Sequence, residues 1–432
     1  MKEQANNKGF GFYIAVLFSA LTALLPFLYQ YGTPVSVLSL GEALLLPFIV
    51  GYFLSDLKNG IRKGDYCGFY ILMILVLVCN FLALLMQPFC SASKALTVTM
   101  RLFYYAFLIY IGYNRIRIDI VLAVLVGGAA ANSVYTIGQY ATHVYLGFDL
   151  PTALPFLSVF DGEDLDGRTN LLEHYKYYFR PSGLFLEPSY AAFFSAPGLV
   201  LLLLHERYRR NFTSILLAAV ITLGLIVGTS SMAVIAITIG WGGYAVTRFV
   251  SRNNRGQYVV NPVGLFVAIF LCCLVTAVLF SPLGEMTLSR LNVSEGSAGQ
   301  RAIRGWLIVS QMDIKTFLIG SGLNNVAEFV SYTSISTPYD EANLDYLSSW
   351  SSALVSSGVF VFVGYVLFLV RLFKRQGTFA GKAIVLLFVV TGFVEATLYT
   401  YRFAFYVLIA LMMIKSMNAK KSNHGLTEAW RY

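Results

Sequence analysis

The sequence predicts an all-α, polytopic membrane protein of about twelve transmembrane helices with two large loops on its outer side. Three observations carry that expectation. Apolar runs of about 18–20 residues recur along the chain, each able to cross a hydrocarbon core of about 30 Å as a helix. Hydrophobic residues make up 57% of the chain and charged residues 12%, against about 25% charged in ordinary soluble domains. The short segments between runs alternate between basic and poorly charged. A length of 432 residues would allow two or three soluble domains, but this composition excludes them. The whole of 1–432 reads as a single integral membrane domain. Backbone groups in lipid must be satisfied inside the segment, which selects helices, and the alternating pattern of a membrane barrel is absent.

Twelve spans are expected, at 12–31, 35–54, 67–87, 95–113, 118–146, 184–204, 212–228, 231–249, 262–280, 346–370, 382–398 and 401–417. The first follows Lys2 and Lys8 as a signal sequence would. It lacks a small-x-small cleavage site and further spans follow, so an uncleaved first helix is expected. The second carries Glu42, the fourth Arg101 and the fifth ends at His143. The sixth begins after Arg180-Pro-Ser-Gly. The seventh and eighth are separated only by Gly228-Thr229-Ser230, and the last two only by the joint at 398–401; these are the weak points of the count.

The charge bias orients the map. With the N-terminus inside, every inner segment is basic: Lys58, Arg62 and Lys63; Arg115 and Arg117; Arg207, Arg209 and Arg210; Arg248, Arg252 and Arg255; Arg371, Lys374 and Arg375. Inner segments hold roughly two thirds of the 31 lysines and arginines, as the positive-inside rule requires, so both termini are expected in the cytoplasm. The same placement accounts for most of the +9 net charge without any nucleic-acid partner. The five cysteines form no CxxC, and His143, His174, His205 and His424 form no metal pattern, so no metal is expected. There is no Walker A loop, no G-x-S-x-G elbow and no H-E-x-x-H.

Two segments break the rhythm, 147–183 and 281–345, and both fall on the outer side. Loops of that length are usually functional. The first carries Asp161, Glu163, Asp164 and Asp166, then the aromatic run Tyr175 to Phe179. Tyr178 and its neighbours are candidates for stacking on sugar rings or for anchoring the loop at the interface. Ionisable residues inside spans are costly and point to function. Glu42 and Arg101 lie about 10 Å below the outer helix ends at 1.5 Å per residue, and His143, Glu187, Glu395 and Arg402 also fall near outer ends. The shared depth points to a water-filled cavity opening outward.

Within the second loop, 300–317 has helical periodicity. Ile303, Trp306, Leu307, Ser310 and Ile314 share a mainly apolar face, with Arg301, Arg304, Gln311 and Lys315 on another and Ile308 among them. Such a helix lies flat at the interface with its basic face toward the cavity or lipid headgroups. Guanidinium groups grip phosphate bidentately, so Arg290, Arg301 and Arg304 are candidates for clamping a diphosphate. Arg180 and Glu187 flank Gly183 and Pro188 where the first loop re-enters the membrane. A partly buried Glu187 is a candidate general base, with helix capping as its structural alternative.

Arg180-Pro-Ser-Gly-Leu-Phe-Leu-Glu-Pro-Ser189 resembles the R-x-S-G-x-F-x-E-P-S segment of the Wzy-type O-antigen or capsular repeat-unit polymerases, relatives of the O-antigen ligases. Arg301 to Gly322 is similar to that family's pattern of arginines, a Trp, a Phe and then G-x-G in the second outer loop. The resemblance implies a GT-C-like glycosyltransferase of the bacterial inner membrane with periplasmic loops. It implies undecaprenyl-diphosphate-linked glycans as donor and acceptor, inverting transfer with undecaprenyl diphosphate leaving, no cofactor, and a chain-length regulator as a possible partner. It further implies diphosphate or substrate binding by Arg180, Arg290, Arg301 and Arg304, with Arg101 and Tyr178 at the same site, and Glu187 then His174 as the base. Ligases of this superfamily carry a functional histidine in the second outer loop, and 281–345 contains none, which favours polymerase over ligase. A flippase or transporter, the rival from another class, should carry charges through the full membrane depth and show repeated halves. An outer-facing assembly protein without catalysis is the remaining alternative.

Overall fold

The computed structural model describes residues 9–34, 38–60, 64, 66–152, 154, 156–160, 179–208, 211–252, 258–260, 262, 297–336 and 347–429. Residues 263–280 of the expected ninth span, 161–178 of the first outer loop, and 281–296 and 337–345 of the second lie outside them, as do three expected site residues, His174, Tyr178 and Arg290.

The described chain is helical. It runs α1 (Phe10–Ala23), α2 (Leu25–Leu28), α3 (Leu40–Asn59), α4 (Cys67–Met86), α5 (Ala92–Arg115) and α6 (Ile118–Ala141), which continues as a π-turn over Thr142–Leu146. Then come α7 (Pro188–Leu204), α8 (Phe212–Val227), α9 (Ser231–Phe249) and a short antiparallel pair, β1 (Val250–Arg252) with β2 (Tyr258–Val260). The last elements are α10 (Ser297–Ser310), α11 (Ile314–Ile319), α12 (Val326–Thr333), α13 (Ser349–Arg375), α14 (Phe379–Thr391) and α15 (Tyr401–Ala429).

Six helices among the described residues are long and apolar enough to cross a membrane: Leu40–Asn59, Cys67–Met86, Ala92–Arg115, Ile118–Leu146, Ser349–Arg375 and Tyr401–Ala419. The protein is a multi-pass membrane protein by this measure. The faces of α4 make the same point. Ile71, Ile74, Val78, Phe81 and Leu85 recur every three or four residues and are all exposed, while Phe69, Leu72, Met73, Val76, Cys79 and Ala83 are buried. A helix with apolar residues on its outer as well as its inner face needs an apolar solvent.

Contacts divide the chain into two compact units. The first comprises residues in 1–15, 46–118 and 292–432, the second those in 16–45 and 119–291. In the first, α13 packs on α4, α10, α11, α14 and α15, and α5 packs on α4 and α15. In the second, α7 packs on α8 and α9. Small residues permit its close approaches: a Cβ on Gly198 of α7 would meet Ala129 Cβ of α6 at 2.7 Å, and one on Gly224 of α8 would meet Ser133 Cα at 2.8 Å. Such contacts replace the hydrophobic drive that lipid removes.

Several helices depart from their expected bounds: 12–31 is helical over Phe10–Ala23 and Leu25–Leu28, 35–54 is Leu40–Asn59, and 346–370 is Ser349–Arg375. The apolar run 382–398 is helical only to Thr391, and 392–400 is irregular, with Tyr399 at φ +66°. The helix expected over 300–317 stops at Ser310, and Asp313 caps a new one by accepting from Thr316 N. An Asx cap satisfies an N-terminal donor that would otherwise be orphaned, so a new helix begins there.

Candidate functional site

In the first unit a polar knot forms where α10 crosses the start of α13. Arg301 and Arg304 are one turn apart on α10 and therefore share a face. Gly305 presses that face on α13: a Cβ there would fall 2.0 Å from Ser351 Oγ. Arg304 is consequently 4% exposed, while Trp306 on the other side is 40% exposed. Arg304 thus turns into the protein, beside the fully buried Ile308, and Trp306 turns out.

Arg301 Nη1 donates to Glu395 Oε2 at 3.0 Å, and Arg402 Nη1 reaches the same oxygen at 3.4 Å. Glu395 and Arg402 are both buried. Arg402 Nε also donates to the Tyr401 hydroxyl at 3.3 Å. Glu395 sits in the irregular stretch after α14, and Ser349 at the start of α13 shapes that stretch. Ser349 N donates to the Gly392 and Glu395 carbonyls. Its Oγ donates to the Glu395 carbonyl at 2.8 Å and accepts from Thr397 N at 2.8 Å and Leu398 N at 3.2 Å. One serine thus satisfies backbone groups that a continuing helix would have satisfied itself. Two guanidiniums on one carboxylate leave the triad net positive, in a place where charge is weakly screened.

The loop after α11 clamps α13 further along. Gly358 breaks α13 at φ +79°, and Ser321 N and Gly322 N donate to the Val355 and Ser356 carbonyls at 2.8 and 3.0 Å. The sequence Gly320-Ser-Gly322 is therefore a backbone clasp on a broken helix. Both glycines hold positive φ, which an L side chain resists. Below it, Ile308, Val326, Phe329, Val330, Leu347 and Val355 form a small apolar core.

In the second unit, the segment 180–189 is held by its backbone. Asn132 Oδ1 accepts from Leu184 N at 2.9 Å. Gln139 accepts from Gly183 N at 2.8 Å and donates to the Gly183 carbonyl at 3.0 Å. Gln30 makes the same two-way bond with Leu186 N and the Leu184 carbonyl. Gly183, at φ +67°, lies so close to α6 that a Cβ would meet Asn132 Oδ1 at 2.2 Å. Arg180 bonds Thr229 through Nε to Oγ1 and Nη2 to the carbonyl, both at 3.3 Å. Glu187 is the N-cap residue of α7 ahead of Pro188, and its carboxylate accepts from Ser189 Oγ at 2.9 Å rather than from the helix backbone. A cavity of about 10 Å³ lined by Asn132, Ser133, Thr136 and Ser195 lies beside the segment, room for about one water.

Arg101 lies in α5 with its Nε buried. Glu42 is nearly fully buried and forms a capping box with Ser39: it accepts from Ser39 N and Oγ at 3.0 and 2.9 Å, while Ser39 Oγ accepts from Glu42 N at 3.3 Å. That is a structural use of the carboxylate. Sequence reasoning missed Gln30, Asn132 and Gln139. The signal was present, since lone amides within apolar runs need partners. No group of three or more His, Cys, Asp or Glu suited to a metal occurs among the described residues. No family model matches this chain, and no curated protein matches it.

Proposed function

We propose that this chain is a lipid-linked glycan polymerase of the bacterial inner membrane. On this reading the chain has twelve spans, both termini are cytoplasmic and both large loops are periplasmic. It joins undecaprenyl-diphosphate-linked repeat units into O-antigen or capsular polysaccharide by inverting glycosyl transfer, without metal or cofactor. The observation that carries the reading is the Arg301–Glu395–Arg402 triad with Arg304 buried one turn along α10. As the anomeric C–O bond breaks, negative charge accumulates on the departing diphosphate. Pre-positioned cations stabilise that charge without reorganising, which is usually the largest catalytic contribution.

Arg301 and Arg304, with Arg290 and Arg402, bind the diphosphate. By the resemblance of its segment to the family motif, Arg180, fixed on Thr229, is a substrate-binding residue, and so is Arg101. Glu187 offers a carboxylate to sugar hydroxyls, and Tyr178 and His174 contribute from the first outer loop. A chain-length regulator is the proposed protein partner.

Deletion in the native strain tests the reading. Surface lipid carrying a single repeat unit supports polymerisation. Long polymer retained on undecaprenyl diphosphate indicates a ligase instead, and no external glycan of any length indicates a flippase. Normal surface polymer refutes all three.

A further inference from the structure

The first unit holds an aromatic and charged cluster that none of the roles above uses. The turn between α4 and α5 carries Phe89, and α12 carries Glu328, Phe329 and Tyr332. Asn325, just ahead of α12, ties the two segments together: its Oδ1 accepts from Ser91 N at 2.6 Å and its Nδ2 donates to the Ser91 carbonyl at 3.4 Å. The Phe89 ring then lies 5.3 Å from that of Phe329, a member of the small apolar core, and 5.4 Å from that of Tyr332. Tyr332 is nonetheless 63% exposed. Ser331, Thr333 and Ser334 around it in the chain are exposed as well. These neighbours carry hydroxyls, not the apolar side chains that would draw the ring into lipid. Glu328 lies one turn before Tyr332 and shares its face of α12. Lys94 of α5 pairs with Glu328 Oε1, while Oε2, itself buried, has no hydrogen-bond partner among the described residues. An unsatisfied buried acceptor is costly, and a hydroxyl that donates to it removes the cost. The cluster stands apart from the arginines of the same unit. Past the end of α12, the Ser336 carbonyl accepts from Gln311 Nε2 at 3.4 Å. Gln311 is ten residues beyond Arg301, about 15 Å at the helical rise.

We infer that Tyr332, Phe89, Glu328 and Lys94 form a saccharide-binding platform that holds the glycan some sugars away from its diphosphate. The inference rests on the glycan reading above, which supplies the ligand class. A sugar ring lays its C–H face on the exposed ring of Tyr332. Phe89 backs that ring and fixes its plane. Tyrosine suits the task, because it offers a large rigid contact with few torsions to freeze. A sugar hydroxyl donates to Glu328 Oε2, and another accepts from the Lys94 ammonium; bonds to charged groups are the stronger kind. No covalent bond forms or breaks here. The platform and Arg301 belong to one compact unit, joined through the small core that contains both Ile308 of α10 and Phe329 of α12. A glycan long enough to reach both is held at two linked points, and linked contacts reinforce each other. The platform therefore favours extended glycans over a single sugar.

The test uses the full chain in lipid nanodiscs. The probe is a set of oligosaccharides cut from the native strain's own surface polymer, free of lipid and phosphate, and binding is measured by calorimetry. Wild type is expected to bind them, the longer fragments more tightly. Tyr332→Ala is expected to weaken binding about fivefold to tenfold, whereas Tyr332→Phe, which keeps the ring, binds as wild type does. Glu328→Gln is expected to lose about tenfold. Saturating pyrophosphate is expected to leave these affinities unchanged, because the arginines lie elsewhere. Equal affinities for Tyr332→Ala and wild type overturn the inference, and so does competition by pyrophosphate. A Tyr332→Trp fluorescence that brominated lipid quenches and the oligosaccharides leave unaltered shows a ring seated in the membrane, which also overturns it. A wild type that binds no fragment removes the platform alone when the deletion strain still displays single repeat units. Fragment binding that Tyr332→Ala weakens, in a protein whose deletion leaves surface polymer normal, upholds the platform and removes the polymerase.

Discussion

Replacing Glu395 with Gln keeps the volume of the side chain and removes its charge. In the wild type one oxygen serves Arg301 at 3.0 Å and Arg402 at 3.4 Å. Breaking a buried ion pair by removing one partner costs about 3–5 kcal/mol. Arg301 keeps 23% of its side chain exposed, so water takes up part of the loss and the lower end, about 3 kcal/mol, is expected. The effect on an anion has the opposite sign. A phosphate on the far side of Arg301 lies about 6 Å from the carboxylate, two N···O contacts of about 3 Å each. At an effective dielectric near 20, unit charges that far apart repel by roughly 2–3 kcal/mol. Glu395→Gln therefore binds pyrophosphate at least about tenfold more tightly. The assay is thermal unfolding of the detergent-solubilised protein with and without millimolar pyrophosphate. The variant is expected to melt lower without the anion and to gain more from it than the wild type does. Equal melting without anion refutes the ion-pair energetics. A gain from pyrophosphate no larger than that of wild type refutes the anion site.

Gly358→Ala places a Cβ 2.2 Å from the Leu318 carbonyl at φ +79°, a strained backbone costing about 1–3 kcal/mol before the clash is counted; cross-linking of cysteines placed on α11 and α13 is expected to fall as the clasp opens. Gln139→Leu leaves the Gly183 N–H, the Gly183 carbonyl and the Pro151 carbonyl without their shared partner, at about 1–3 kcal/mol each; limited proteolysis within 180–187 is expected to quicken at least tenfold. Burial, and after it the carboxylate of Glu328, pushes the Cys90 thiol above its usual range. Less thiolate is present at a given pH, so Cys90 is expected to alkylate more slowly than exposed Cys67 at pH 8, with its half-rate at higher pH. Glu328→Gln should move that half-rate downward.

Helix placement was legible because an apolar run is a local property. The run 67–87 is the helix Cys67–Met86, 118–146 is Ile118–Leu146, and 212–228 is Phe212–Val227. The turn at Gly228-Thr229-Ser230 also separates two helices, with Thr229 at φ +47°. What was illegible depends on distant partners. Nothing local stops the last helical turn of 382–398. It unwinds because Ser349, some forty residues earlier, takes its backbone bonds. The break in α13 at Gly358 needs the clasp from 320–322. In the site, Arg301 and Arg304 were legible as a helix face, whereas the sharing of Glu395 by Arg301 and Arg402 depends on a fold that joins α10 to the stretch between α14 and α15. The amides at 30, 132 and 139 read as isolated polar residues until the backbone they hold is seen.

Helix α13 does for this cluster what a rigid scaffold does for a loop-borne site. Its first turn receives Gly305 of α10 against Ser351, which fixes where Arg301 and Arg304 stand. The same turn, through Ser349, fixes the backbone on which Glu395 stands. Two turns on, the carbonyls freed by the break at Gly358 receive the clasp that follows α11. The arginines and their carboxylate are therefore set by one ruler rather than by contact with each other alone. Rotamer-rich guanidiniums lose much of their freedom before any substrate arrives, and binding then costs less. It follows that Ser349→Ala, which touches no charge, should weaken pyrophosphate binding as Arg301→Ala does, while Ser310→Ala at the exposed end of α10 should not. Pyrophosphate titration by calorimetry separates the cases: equal affinities for Ser349→Ala and wild type would show that the arginines hold their geometry without α13.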